Sequence, residues 1–81
     1  MNVAVCWHPA ALHTFYRLPI HSATLVDRAV LRLAETGEGK LDWVAPYWRL
    51  RAGIHDLVLA IDREALTITV LSIYHARPYL G

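Results

Sequence analysis

The stretch YWRLRAGIHDLVLAID, residues 47–62, decides the fold because it holds two strand patterns separated by a glycine turn. The first arm alternates arginines with apolar side chains, as a strand with one buried face does. The second arm is mostly apolar and predicts the partner strand. A two-residue loop at Ala52 and Gly53 would join the two arms as an antiparallel hairpin.

The position of this loop decides which side chains lie opposite each other. With Ala52 and Gly53 in the loop, Arg49 faces Asp56 on one side of the hairpin, and we expect an ion pair between them. The predicted buried face contains Trp48, Leu50, His55, Leu57, Leu59 and Ile61. The predicted open face contains Tyr47, Arg49, Arg51, Asp56 and Val58. A slip of one residue would reverse this sorting.

The N-terminal half of the chain has mainly helical patterns. VAVCW, residues 3–7, predicts a short buried strand, and Pro9 can then open a helix at its first position. Ser22 is the predicted N-cap of a second helix that runs to about residue 35, and Gly37 is its predicted C-cap. The apolar stripe of this second helix is formed by Ala23, Val26, Ala29, Val30, Leu33 and Ala34.

LTITVLSIYH, residues 66–75, predicts the last strand. We therefore expect one α+β domain over residues 1–81, in the order β-α-α-β-β-β, with the two N-terminal helices packed on one face of a small, mainly antiparallel sheet. A turn of two or four residues before the last strand would place His75 and Arg77 near the arginines of the hairpin. The same turn would send to the core Leu66, Ile68, Val70 and Ser72.

Composition and charge limit the classes of function. Apolar residues make up 56% of the chain and charged residues 19%, which is too hydrophobic for a disordered protein. The formal net charge is +1, so contact with nucleic acid would need a local cluster of arginines. No apolar run approaches the roughly 18 residues of a membrane helix, and we expect a soluble protein without membrane contact. The N-terminal stretch MNVAVCWHPA does not have the pattern of a secretion signal.

The cysteine and the histidines give no sign of a metal or cofactor site. A single cysteine, Cys6, excludes an internal disulfide, fits a reducing cytoplasm and is expected as a small buried side chain rather than a reactive thiol. His8, His13 and His21 lack the spacing of metal ligands. We therefore expect no metal and no cofactor.

The order of these pieces resembles the RelE/ParE superfamily of toxins from type II toxin–antitoxin systems. WHPAA, residues 7–11, resembles the start of the first helix in that family. WRLRAG, residues 48–53, resembles its Arg-Leu-Arg-x-Gly segment, and VLSIYHAR, residues 70–77, resembles its last strand with a His-Arg ending. The resemblance covers most of the chain, and the ordered set is more specific than any single piece.

This resemblance implies a cytoplasmic toxin that a cognate antitoxin neutralises within a toxin–antitoxin hetero-oligomer. Members of the RelE branch are endoribonucleases that cut messenger RNA in the ribosomal A site, where a 2′-hydroxyl attacks the adjacent phosphate. This chemistry needs cations near the phosphorane-like transition state and a group that moves protons. Members of the ParE branch keep the fold and inhibit DNA gyrase without cleaving RNA.

The resemblance also indicates which residues would form a ribonuclease site. Arg49 and Arg51 match the basic residues before the turn, His75 matches the histidine of the last strand, and Arg77 matches the arginine after it. Tyr79 lies near the C-terminal tyrosine of the family. The candidate catalytic residues are therefore Arg49, Arg51, His75, Arg77 and Tyr79, with Tyr79 as a possible group for proton transfer.

Three positions depart from the RelE pattern and keep other functions open. RelE-type sequences commonly read Gly-Asp-Tyr-Arg after the turn, whereas this chain reads GIHD, which puts His55 at the tyrosine position and Asp56 at the arginine position. Ala76 stands where an arginine often follows the histidine. The chain is therefore interpreted as a toxin of the RelE branch, with a ParE-like inhibitor of gyrase, or a decayed toxin fold that only binds antitoxin, as alternatives.

Overall fold

A mixed sheet with two helices on one face forms the structure, a computed structural model that describes residues 3–76. Its elements are β1 (Ala4–Trp7), α1 (Pro9–Arg17), α2 (Ile20–Thr36), β2 (Lys40–Val44), β3 (Tyr47–Ala52), β4 (His55–Asp62) and β5 (Thr67–His75). Within the described residues the sheet has the order β1-β5-β4-β3-β2. Strand β1 pairs with β5 in parallel, and the other neighbours are antiparallel. The predicted α+β fold is confirmed.

Helix α1 begins at Pro9, where the missing N–H and the fixed φ suit the first turn. The Nδ1 of His8 caps α1 by accepting a hydrogen bond from the Ala10 N–H at 3.1 Å. Helix α2 has Pro19 as its N-cap rather than the predicted Ser22, which lies inside the helix. Gly37 ends α2 in the left-handed conformation as predicted, and its N–H donates to the Leu33 carbonyl at 2.9 Å.

The core lies between the helices and one face of the sheet. Val26 and Val30 of α2 and Ala11 of α1 are buried against the central strands. The sheet contributes the buried side chains Leu50, Leu57, Leu59, Ile68, Val70 and Ile73. This side of the sheet is called the helix-covered face below, and the hydrophobic effect on this face holds the fold together.

Strand β2 is an addition to the predicted strand order. Its sequence KLDWV alternates charged and apolar residues, and Leu41 and Trp43 share a side with Leu50 and Trp48 of β3. The strand forms one edge of the sheet. Its addition matters for the site because it places Asp42 directly opposite Arg49.

The hairpin between β3 and β4 turns one residue later than predicted. Its loop consists of Gly53 and Ile54, because the left-handed φ of +63° falls on Gly53, a conformation that glycine adopts without strain. Arg51 therefore lies opposite Asp56, and Arg49 lies opposite Val58. The predicted pairing of Arg49 with Asp56 is wrong, whereas the predicted sorting of side chains between the two faces is confirmed.

A bulge in β5 changes which side of the sheet its last residues face. Leu59 of β4 lies opposite Val70, but its neighbour Val58 lies opposite Ser72, so Leu71 is an extra residue. Beyond the bulge, His75 lies opposite His55 on the helix-covered side. The predictions that Ser72 points to the core and that His75 lies beside the arginines are therefore wrong.

Two further expectations about single residues differ from the structure. Leu66 is exposed in the turn before β5 and has a φ of +52°, whereas the predicted core residues Ile68 and Val70 are buried. Cys6 is exposed, because β1 is an edge strand and Cys6 lies on the side of β1 that the helices leave open. The thiol is therefore accessible and not part of the core.

Candidate functional site

The side of the sheet opposite the helices carries the predicted arginines. Lys40 and Asp42 of β2 lie opposite Arg51 and Arg49 of β3, and Asp56 of β4 lies opposite both Arg51 and Tyr74. Because directly paired residues share a face, these six side chains form one surface. This surface is called the arginine face below and consists of Lys40, Asp42, Arg49, Arg51, Asp56 and Tyr74.

Arg51 and Asp56 form the central ion pair of the arginine face. The Nε of Arg51 donates to the Oδ1 of Asp56 at 2.5 Å. The Asp56 side chain is only 5% exposed, whereas the Arg51 side chain is 43% exposed. A buried carboxylate needs such a charged partner, so Asp56 holds part of the Arg51 guanidinium and leaves the rest open to solvent.

Arg49 is held in the same way by the neighbouring strand. Its Nη2 donates to the Oδ2 of Asp42 at 3.1 Å. The hydrogen bond that Arg49 donates to Asp42 raises the pKa of Arg49 above its ordinary value, and the nearby charge of Asp56 and the hydroxyl of Tyr74 act in the same direction against the effect of burial. Arg49 is therefore a permanent cation.

A cleft of about 420 Å³ opens on the arginine face. Lys40, Arg49 and Arg51 line it together with the two carboxylates Asp42 and Asp56. Three cations converge on a space large enough for a phosphate group, but two of them already have a carboxylate partner. An anion that enters the cleft must share or displace these carboxylates. Within residues 3–76, Lys40 is the cation of this cleft that no ion pair engages.

His75 lies away from this cleft, on the helix-covered side of β5. Its ring meets the ring of His55 edge-to-face, with 5.6 Å between the ring centroids. His55 is buried, and its Nδ1 has no hydrogen-bond partner among the described residues. Burial lowers the pKa of His55, and the neighbouring His75 lowers it further. The exposed His75 therefore shields a neutral, buried imidazole.

The five candidate catalytic residues are thus only partly brought together. Arg49 and Arg51 are adjacent on the arginine face, and His75 projects from the opposite face. Arg77 and Tyr79 lie outside the described residues. The sequence prediction missed Lys40, Asp42 and Tyr74, although the alternating pattern of KLDWV, residues 40–44, was a signal for the first two.

The described part of the chain shows no metal centre and no membrane span. Across residues 3–76, no three histidine, cysteine, aspartate or glutamate side chains come together in an arrangement that would hold a metal ion. In the same range neither helix has the length and apolar character needed to cross a bilayer.

Comparison with known proteins identifies the fold through structure rather than sequence. No protein-family model and no curated protein matches the sequence. Several solved structures match it over nearly the whole length. The isolated RelE toxin of E. coli superimposes with a TM-score of 0.76 at 17% identity, covering 98% of this chain and 89% of RelE.

Two further solved structures agree with this match. The archaeal RelE–RelB complex from Pyrococcus horikoshii OT3 gives a TM-score of 0.78 at 13% identity, covering 93% of this chain and 96% of the matched one. The YoeB dimer from Staphylococcus aureus gives 0.72 at 15% identity, covering 98% and 100%. The chain therefore has the RelE-like fold that the resemblance implies.

Proposed function

We propose that this protein is the toxin of a type II toxin–antitoxin system and inhibits translation by cleaving messenger RNA on the ribosome. The observation that carries the proposal is the pair of adjacent arginines on the open face of a RelE-like sheet. The similar structures include toxins crystallised with an antitoxin, among them the intact E. coli RelBE complex and the S. aureus YoeB–YefM complex.

The arginine face supplies the electrostatic part of this reaction. Attack of a 2′-hydroxyl on the adjacent phosphate forms the P–O2′ bond and breaks the P–O5′ bond, while the 2′-hydroxyl loses its proton and the leaving 5′ oxygen gains one. Negative charge gathers on the phosphoryl oxygens during this step, and positioned cations stabilise that charge. Arg51 presents the exposed part of its guanidinium, and Lys40 stands opposite it across the β2–β3 pair. Arg49 contributes its charge through the ion pair with Asp42. The protein side of the reaction is therefore charge stabilisation on one rigid sheet.

Proton transfer in this proposal is assigned to Tyr74 and the predicted Tyr79, and not to His75, which lies on the opposite face from the arginines. Tyr74 is on the arginine face, and His75 follows it on the other side of the strand. Arg77 and Tyr79 remain predicted members of the site. Messenger RNA completes the reaction centre, because the 2′-hydroxyl nucleophile belongs to the substrate.

Induced expression with transcript mapping tests this proposal. We expect growth arrest and transcripts cut within codons, because the proposed cleavage takes place in the decoding site. Arg51→Ala is expected to relieve the arrest by removing the central cation of the arginine face. Arg63→Ala, in the exposed turn between β4 and β5, is the matched control and is expected to stay toxic. Intact transcripts beside full growth arrest would eliminate the ribonuclease.

A second candidate function is inhibition of DNA gyrase by binding alone. The observation that favours it is the pairing of both site arginines with aspartates, which reduces their attraction for phosphate. Separation of His75 from the arginine face points the same way. This function predicts gyrase-linked DNA breaks and a DNA-damage response with intact transcripts. A decayed toxin fold, in contrast, would give no growth phenotype.

The β2 edge of this protein offers a suitable surface for binding of the proposed antitoxin. Trp43, Val44 and Tyr47 are exposed there, and Trp43 packs on Trp48 with 5.1 Å between the ring centroids. An edge strand also offers unpaired backbone N–H and C=O groups that an extended segment can bind. We propose this edge for antitoxin contact within a cytoplasmic hetero-oligomer. Co-expression with the product of the neighbouring reading frame tests it, since Trp43→Ala should weaken co-purification and Tyr16→Ala should not.

A further inference from the structure

A second basic groove adjoins the arginine face and lies between α2 and the edge of the sheet. It has a volume of about 540 Å³ and runs between the middle of α2 and the facing ends of β2 and β3. Its charged lining is Arg28, Arg32, Lys40 and Arg51, against the single carboxylate of Glu38. It is called the α2 groove below. With Arg51 paired to Asp56 and Arg32 paired to Glu38, Arg28 and Lys40 remain as a local excess of positive charge in a chain whose net charge is +1.

The sequence places two of these cations together in spite of their repulsion. Arg28 and Arg32 are four residues apart on α2, and like charges at this spacing disfavour a helix. The turn after Gly37 then brings Lys40, the first residue of β2, to the same groove. Such a concentration of charge favours binding of an anion.

Two cations of the α2 groove, Arg28 and Lys40, are freer than the arginines of the arginine face. Arg49 and Arg51 are each bound by an aspartate. Arg32 is bound by Glu38 at 2.7 Å, but both side chains are about two-thirds exposed, so solvent screens that pair. Within residues 3–76, Arg28 and Lys40 take part in no ion pair. An anion therefore meets less competition in the α2 groove than in the cleft of the arginine face.

The α2 groove and the cleft of the arginine face are continuous. Gly39, Lys40 and Arg51 line both of them. A partner that follows the charged lining can therefore run from α2 around the sheet edge and onto the arginine face. Among the described residues that line the groove there is no aromatic ring on which a nucleobase could stack. Recognition in the groove is thus directed at a repeating charge and not at base identity.

We propose that the α2 groove binds the phosphate backbone of a single RNA strand and leads it to the arginine face. The assignment of RNA rests on the proposed function, and the continuity with the arginine face favours RNA over an acidic protein segment. Arg28 and Lys40 are the primary phosphate contacts, and Arg32 joins them when Glu38 releases it. The groove supplies a sequence-independent part of the affinity, and the chemistry remains on the arginine face.

Fluorescence anisotropy with purified protein tests the groove. The probes are an oligouridine of about ten nucleotides and an oligoglutamate peptide of about ten residues, each titrated over a range of salt concentrations. Arg28→Gln and Lys40→Gln are the test variants, and Arg63→Gln removes the same charge from an exposed turn outside the groove. Thermal unfolding verifies that all variants are folded, which their exposed positions favour.

Each test variant is expected to weaken oligouridine binding by about 2- to 5-fold. Each is also expected to reduce the slope of log affinity against log salt by about 0.7, the value for one single-strand phosphate contact. The Arg63→Gln control keeps the affinity and slope of the unchanged protein. Unchanged oligouridine binding by both test variants would overturn the proposal, whether or not these variants lose affinity for the oligoglutamate peptide.

Transcript mapping on the same variants separates failure of the groove from failure of the proposed function. If the unchanged protein cuts transcripts and the groove variants bind oligouridine normally, the groove proposal is wrong and the ribonuclease stands. If the groove variants lose oligouridine binding and the unchanged protein leaves transcripts intact, the groove proposal stands and the ribonuclease is wrong.

Discussion

The polar side chains on the two faces of the sheet differ in their pairing. On the arginine face, each arginine has a carboxylate partner, and the buried carboxylate of Asp56 is held by Arg51. On the helix-covered face, His55 is buried beside His75 without a hydrogen bond to its Nδ1. The arginine face keeps charged side chains because they form ion pairs, whereas burial on the helix-covered face favours the neutral form of His55. The first arrangement keeps the arginines in place but weakens their attraction for an added anion, and the second leaves a polar nitrogen unsatisfied inside the described core.

The largest loss of stability is expected when a buried side chain of the helix-covered face is removed. Leu57→Ala removes a fully buried side chain at the centre of the sheet, and we expect a loss of about 2–5 kcal/mol in the free energy of unfolding. Val58→Ala is the matched control, because Val58 is the next residue, points to the other face and is only partly buried. Urea denaturation measures both. Equal losses would mean that the two faces contribute alike to stability.

The ion pair of the arginine face is the next test. Arg51→Ala leaves the buried Asp56 carboxylate without its partner, and we expect a loss of about 1–3 kcal/mol in the free energy of unfolding. The same substitution in an Asp56→Asn background should cost much less, because no buried charge is then left unpaired. Urea denaturation of the four proteins completes the cycle. A purely additive result would show that the two side chains do not depend on each other.

The smallest effect is expected from titration of His55. Its pKa in the folded protein lies below the ordinary value, so the unfolded chain takes up a proton first as the pH falls. Stability is therefore expected to decrease as the pH drops below about 6.5, the ordinary histidine pKa, until the folded protein is protonated as well. Thermal unfolding at pH 8 and pH 5 measures this decrease, and His55→Gln should reduce it. The same pH dependence in both proteins would assign it to other groups.

The sequence predicted every helix and strand of the described residues except β2, because strand and helix periodicities are local. Hydrophobic alternation in residues 47–62 identified the hairpin and sorted its faces, and that sorting survives the shift of the loop to Gly53 and Ile54. Moving a two-residue loop by one position shifts the pairing of the two strands by two residues. Each side chain therefore stays on its face of the sheet and only its cross-strand partner changes. The partners in the ion pairs therefore depended on the exact position of the loop, which the alternation of polar and apolar residues does not define.

The candidate site was less predictable because it depends on a bulge in β5 and on the pairing of the edge strand β2 with β3. The extra residue Leu71 in β5 moved His75 to the other face, and a bulge leaves no clear signal in an apolar strand. The edge strand β2 gave Arg49 its partner Asp42 and added Lys40 to the surface. Pairing between strands is a tertiary property, and single-strand patterns do not reveal it.

The most direct test of ribonuclease activity is primer-extension mapping of messenger RNA on programmed ribosomes incubated with the purified protein. Cuts should appear within the codon at the decoding site only when ribosomes are present, and Arg51→Ala should abolish them. Asp56→Asn should strengthen them, because it keeps the size of the buried side chain and removes the carboxylate that competes with phosphate for Arg51. Full-length messenger RNA in every lane, with a protein that still arrests growth, would contradict the account.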